Sequence, residues 1–129
     1  MTIVLDSWAV LRYLEDAGPA AEAVNDLLGR ETPMMSWINL GEVHYVVRRL
    51  QGEDAAAEAV RDLRDVIDAR LPDERLVATA ARIKADHPMA YADAFAAALA
   101  VAREATLWTG DPELLVDGSP WHWRDLRSG

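Results

Sequence analysis

The chain has 129 residues, 51% hydrophobic and 27% charged, enough for one domain that buries roughly two-thirds of its unfolded surface. It has no cysteine, which excludes disulfides and thiolate metal sites, and no apolar run approaches the ~20 residues that span a bilayer. Thirteen basic against 22 acidic side chains leave a net charge of −9, which argues against tight nonspecific nucleic-acid binding and favours basic partners or bound cations.

Met1 to Leu14 is apolar but broken by Asp6 and Arg12, with no basic leader and no small-residue cleavage site. It reads as mature sequence, with the cytoplasm as the default placement. Thr2 to Leu5 is a β-branched and apolar run, predicted as a buried strand that Asp6 ends. Ser7 is placed to cap the helix that follows, in which Trp8, Leu11 and Leu14 recur at helical spacing until Gly18-Pro19 breaks it. A second helix is expected from Ala20 to Leu28, closed by Gly29. Met34 to Trp37 reads as the second strand. Asn39 is then the expected cap of a helix with Val43, Val46, Val47 and Leu50 on its apolar side, stopping near Gly52. Asp54 opens another helix through Val60, Leu63 and Ile67, Asp68 to Leu71 forms a short strand, and Pro72-Asp73 starts a helix that runs to about His87.

Pro88 cannot continue that helix, so a new one begins after it, rich in alanine and carrying Asp93 in its first turn. The apolar pair Leu107-Trp108 is a short strand that ends in Thr109-Gly110-Asp111. Gly118, Ser119 and Pro120 are turn residues, and Trp121 to Leu126 is expected as an edge strand. Alternating strands and helices predict right-handed crossovers and a mainly parallel central sheet in a three-layer α/β/α fold.

Asp6, Glu42 and Asp111 each stand at or just past the passage from a strand to the next element, and Asp93 arrives on a helix. In open α/β sheets, ligands bind outside the carboxyl ends of the strands, and all four acids can reach that edge. Taken singly, an aspartate at a strand end is more often a helix cap or a turn former. Taken together, oxygen-only donors suit hard cations such as Mg2+ or Mn2+. Two such ions ~3.5–4 Å apart can activate water and stabilise the leaving oxygen in phosphodiester hydrolysis.

In order along the chain stand Asp6-Ser7, Asn39-Leu40-Gly41-Glu42-Val43, Tyr91-Ala92-Asp93-Ala94-Phe95 and Thr109-Gly110-Asp111-Pro112-Glu113-Leu114. With these motifs the sequence resembles the PIN-domain ribonucleases, specifically the VapC-type toxins of bacterial toxin–antitoxin pairs. The resemblance implies an Mg2+- or Mn2+-dependent endoribonuclease with Asp6, Glu42, Asp93 and Asp111 as the metal-binding acids. It also implies an RNA substrate, a cognate VapB-type antitoxin and homodimerisation. Alternatives are a housekeeping PIN-family nuclease acting on RNA or DNA, and a catalytically silent PIN-like binding module, against which the complete acidic set speaks. A phosphotransfer receiver domain also gathers acids at a sheet edge, but it needs a lysine on a late strand. The sole lysine, Lys84, lies in a helical pattern. The aromatic tail Trp121-His122-Trp123 departs from the family pattern.

Of the remaining polar residues, Thr109 is placed either to orient a water or phosphate or to serve as a structural hydroxyl. Arg12, Arg48 and Arg49 are the best candidates for phosphate contacts, and Lys84 reads as part of a solvated helix face. His44 follows Glu42 by two residues, a spacing that points to different helix faces. Trp108 is expected in the core, as is one of Trp8 and Trp37.

Overall fold

A computed structural model describes residues 2–128. Its sheet contains β1 (Ile3–Leu5), β2 (Met34–Ser36), β3 (Asp68–Arg70), β4 (Thr106–Thr109) and β5 (His122–Asp125), in the spatial order β3-β2-β1-β4-β5 with every pairing parallel. Helices α1 (Ser7–Glu15) and α2 (Gly18–Leu28) connect β1 to β2, and α3 (Trp37–Gln51) and α4 (Glu53–Val66) connect β2 to β3. The pair α5 (Glu74–Asp86) and α6 (Tyr91–Ala102) carries the chain from β3 back to β4.

The period of two along the strands sorts the core into two layers. Ile3, Leu5, Met35 and Trp108 face the side covered by α1 to α4, whereas Val4, Met34 and Leu107 face α5 and α6. Both faces of the sheet are therefore covered, as an all-parallel sheet requires. The run Ala94 to Ala100 is buried throughout, because small side chains let α6 lie close to the strands. Among the described residues no helix is long and apolar enough to cross a membrane.

The strand order reverses direction between β1 and β4. Successive crossovers step outward from β1 to β2 to β3, and the next returns to β4 on the other side of β1. That reversal opens a crevice at the carboxyl ends of β1 and β4, where Asp6 and Asp111 follow their strands.

Two expected helix caps differ in the structure. Asp6, not Ser7, caps α1 by accepting from the Ala9 N–H at 2.8 Å. Ser36, not Asn39, caps α3, so the second strand ends one residue before Trp37 and Asn39 lies buried inside the helix. Trp8 and Trp37 are both half-buried beneath guanidinium groups, Arg12 over the first at 4.7 Å and Arg64 over the second at 5.1 Å from the ring centroid. Trp108 is a core residue, as expected. Lys84 is exposed but reaches back to donate to the Met89 carbonyl at 2.7 Å, which fixes the turn leading into α6.

The aromatic tail has a clear structural role. The β4–β5 connection, residues 110–121, contains no helix although it joins parallel strands. The Trp121 indole N–H donates to the Leu114 carbonyl at 2.9 Å and that of Trp123 to Val116 at 3.0 Å, so two aromatic residues pin a connection that has no regular structure of its own. The same loop begins at Gly110, where a Cβ would lie 2.3 to 2.5 Å from atoms of the Trp8 ring. Gly110→Ala is therefore expected to displace Trp8 and cost about 1–3 kcal/mol by overpacking, measurable as a lower melting temperature. An unchanged melting temperature would mean that the ring moves freely.

Candidate metal centre

Asp6 is 1% exposed, and both of its carboxylate oxygens are engaged. One accepts the cap bond from Ala9, and the other accepts from the Thr109 hydroxyl. Thr109 in turn accepts from the Asp111 N–H at 3.0 Å, so one hydroxyl at the end of β4 ties together the acids that follow β1 and β4. Asp111 also organises the next turn by accepting from the Glu113 N–H at 3.0 Å.

Asp93 comes from the opposite layer, in the first turn of α6, and is 7% exposed. Its helix start is held by Asn39, whose side-chain amide donates to the Ala92 carbonyl at 3.0 Å and to the Ser7 hydroxyl at 3.3 Å. Ser7 donates to the Asn39 carbonyl at 3.2 Å, closing a small buried network that joins the N-terminal turns of α1, α3 and α6. Glu42 lies one turn into α3. Its Oε1 and the Asn39 Oδ1 are buried with no hydrogen-bond partner among the described residues.

The four acids share one electrostatic site. Burial is the main cause that pushes Asp6 up from 3.8 to about 7; hydrogen bonds from Thr109 and Ala9 oppose it, while Asp111 and Glu42 add repulsion. Burial also leads in raising Asp93 from 3.8 to about 8, followed by the charge of Asp111, a carboxyl–carboxyl hydrogen bond with it, and the charges of Asp6 and Glu42. The charges that act on both groups are thus other carboxylates, an arrangement that is costly without a cation.

Oxygens of Asp93, Asp111 and Glu113 lie within 4.8 Å of one another. This tight group includes two of the four expected acids and adds exposed Glu113, which was not among the expected ligands although the Asp-Pro-Glu spacing contained it. Asp6 and Glu42 border the group and are coupled to it by charge. The donor set is entirely oxygen, and the unpartnered Glu42 oxygen supplies a further unsatisfied acceptor. The residues present therefore fit a hard divalent cation. Arg12, Arg48 and Arg49 are engaged elsewhere, with Glu15, Glu53 and the Tyr45 ring respectively. His44 is turned toward Glu53 as well.

No curated protein matches the chain in sequence. Among solved structures it is similar to VapBC2 from Rickettsia felis bound to a promoter DNA fragment, with 14% identity over 97% of this chain and 98% of that one and a TM-score of 0.77. DNA-bound VapBC from Salmonella typhimurium matches at 16% identity over 98% of each chain, also with a TM-score of 0.77. Mycobacterium tuberculosis VapC20, a toxin that cleaves the sarcin–ricin loop, matches at 22% identity over 91% of this chain and 95% of its own, with a TM-score of 0.72. These similarities establish a shared fold. A family model described as PIN domain matches residues 3–116, which run from β1 past Asp111 and take in every acid of the crevice. This chain belongs to the PIN-domain family.

Proposed function

We propose that the chain is a metal-dependent endoribonuclease toxin that hydrolyses RNA phosphodiester bonds and is neutralised by a cognate VapB-type antitoxin. The observation that carries this reading is the convergence of carboxylates from four separate elements on the crevice between β1 and β4, where the charges acting on Asp6 and Asp93 are those of other carboxylates. Asp6, Glu42, Asp93 and Asp111, joined by Glu113, would hold Mg2+ or Mn2+. When bound, such an ion stabilises charge developing on the phosphate and lowers the pKa of water. The protein's part is positioning. Ala9 N–H and Thr109 fix the Asp6 carboxylate, the Asn39 network fixes the start of α6 and hence Asp93, and the turn at Asp111 presents Glu113. The N-termini of α1 and α6 add positive dipole ends at the same edge, where phosphate binds favourably.

The fold neighbours include toxin–antitoxin complexes, which supports an antitoxin partner here. An arginine in such a partner could pair with Asp6, Asp93 or Asp111 and exclude cation and RNA, and the proposed dimer would set two acidic crevices in one assembly. The test is cleavage-site mapping on total RNA with Mg2+ or Mn2+ and an EDTA control, paired with growth of cells that express the chain alone. Discrete cuts lost in EDTA, and growth arrest relieved by the antitoxin, are expected. Intact RNA with either metal would overturn the enzyme reading, whereas cleavage without growth arrest would favour a housekeeping nuclease.

A further inference from the structure

Basic side chains are scarce in this protein, yet four of its twelve arginines line a single cavity of about 600 Å3 away from the acidic crevice. Arg70 comes from the end of β3, Arg75 and Arg82 from α5, and Arg103 from the end of α6. The lining includes one carboxylate, Asp73, which keeps its charge while one of its oxygens caps α5 by accepting from the Leu76 N–H at 2.8 Å. Arg70 is paired in a fork with Asp68, at 2.9 and 2.8 Å. Among the described residues Arg75, Arg82 and Arg103 are in no ion pair within 4.0 Å, and the charge of Arg103 also acts on Asp68 from farther away.

The arginines are partly preset. The Thr79 hydroxyl donates to the Arg75 carbonyl at 3.1 Å and accepts from an Arg82 guanidinium nitrogen at 3.3 Å, which holds that side chain over the cavity. The positive end of α5 opens at the same place, adding to the field of the guanidinium groups. Leu76 and Leu99 supply an apolar wall, so the cavity combines a hydrophobic surface with several donors of fork geometry. Its size lies in the range of small-ligand sites.

We propose that this cavity binds a phosphate group carried by a nucleotide, either a free mononucleotide or a nucleotide of an RNA strand. Guanidinium forks match phosphate oxygens, and an apolar wall accepts a base or sugar face. The RNA form of the inference rests on the nuclease reading. In that form the cavity anchors the strand at a distance from the cut, since Arg103 lies ~15 Å along α6 from Asp93. The mononucleotide form stands without it.

The test measures binding in EDTA, which separates it from cleavage. Adenosine 5′-monophosphate is titrated by calorimetry and a short fluorescein-labelled single-stranded RNA by anisotropy, for the wild type and for the R75Q/R103Q double variant. Both positions are exposed, and melting curves check that the variant is folded. At least a tenfold loss of affinity is expected for the probe that uses the site. If that probe is RNA, the slope of log affinity against log salt should fall by about 1.4, the share of two single-strand phosphate contacts. Thr79→Val keeps every charge, so it should weaken binding less and leave the salt slope unchanged. Loss confined to the mononucleotide identifies a free ligand, and loss confined to RNA identifies a strand anchor. Equal binding of both probes by wild type and double variant, or binding of neither at low salt, overturns the assignment.

Discussion

Asp93→Asn is expected to lower RNA cleavage by on the order of a thousandfold while leaving the fold intact. A carboxylate that helps to hold the cation can supply about 4 kcal/mol of transition-state stabilisation, and each 1.36 kcal/mol is a factor of ten. Asparagine has nearly the same shape and keeps one acceptor oxygen, so α6 should still dock through Asn39 and the Ala92 carbonyl. The variant removes one charge from a site in which Asp93 is repelled by Asp111, Asp6 and Glu42. In EDTA at pH 8 it should therefore melt at a higher temperature than the wild type. Lost activity together with gained stability is a signature that a merely structural aspartate would not give. Cleavage near the wild-type rate would remove Asp93 from the site, and lower stability would show that its charge has a compensating partner.

Much of this arrangement is legible in the sequence because it rests on local rules. Strand alternation at Ile3, Val4 and Leu5 sets which side chains face each helical layer, and Asp6 and Asp111 stand just past the ends of β1 and β4. What stays hidden depends on partners remote along the chain. Asn39 looks like a helix cap by residue type, yet its amide serves the Ala92 carbonyl 53 residues away. Ser7 is likewise a plausible cap, but the aspartate before it takes that bond and leaves the hydroxyl to Asn39. Thr109 shows a link that the sequence does not, since its hydroxyl joins Asp6 to the Asp111 backbone. Glu113 reaches the acidic group only because the Asp111 turn folds it back, a geometry that spacing alone does not dictate. The tail tryptophans become intelligible once β5 is seen to pair in parallel with β4 after a helix-free connection.

The metal-free protein should become less stable as pH rises from about 4 to about 8, and a divalent cation should offset that loss. Asp6 and Asp93 ionise at 3.8 when unperturbed and at about 7 and about 8 in the folded chain. Between these limits the folded protein keeps protons that the unfolded chain has released. Raising the pH therefore favours unfolding. Below pH ~4 both states are protonated and the penalty vanishes, whereas above pH ~8 it is complete. For Asp6 alone, a change from 3.8 to about 7 corresponds to about 4 kcal/mol. Asp68 and Asp125, held below the ordinary carboxylate range by bonds from Arg70 and Arg127, act in the opposite sense only under more acidic conditions. A cation requires the ionised acids, so its affinity should rise across the same window. At ~100 times its dissociation constant it returns about 2.7 kcal/mol if it binds the folded state alone. Melting curves from pH 4 to pH 8.5, with EDTA and with Mn2+, should diverge progressively toward the alkaline end. Parallel curves, or a metal effect that is largest at pH 4, would mean that the buried carboxylates are not where the cation binds.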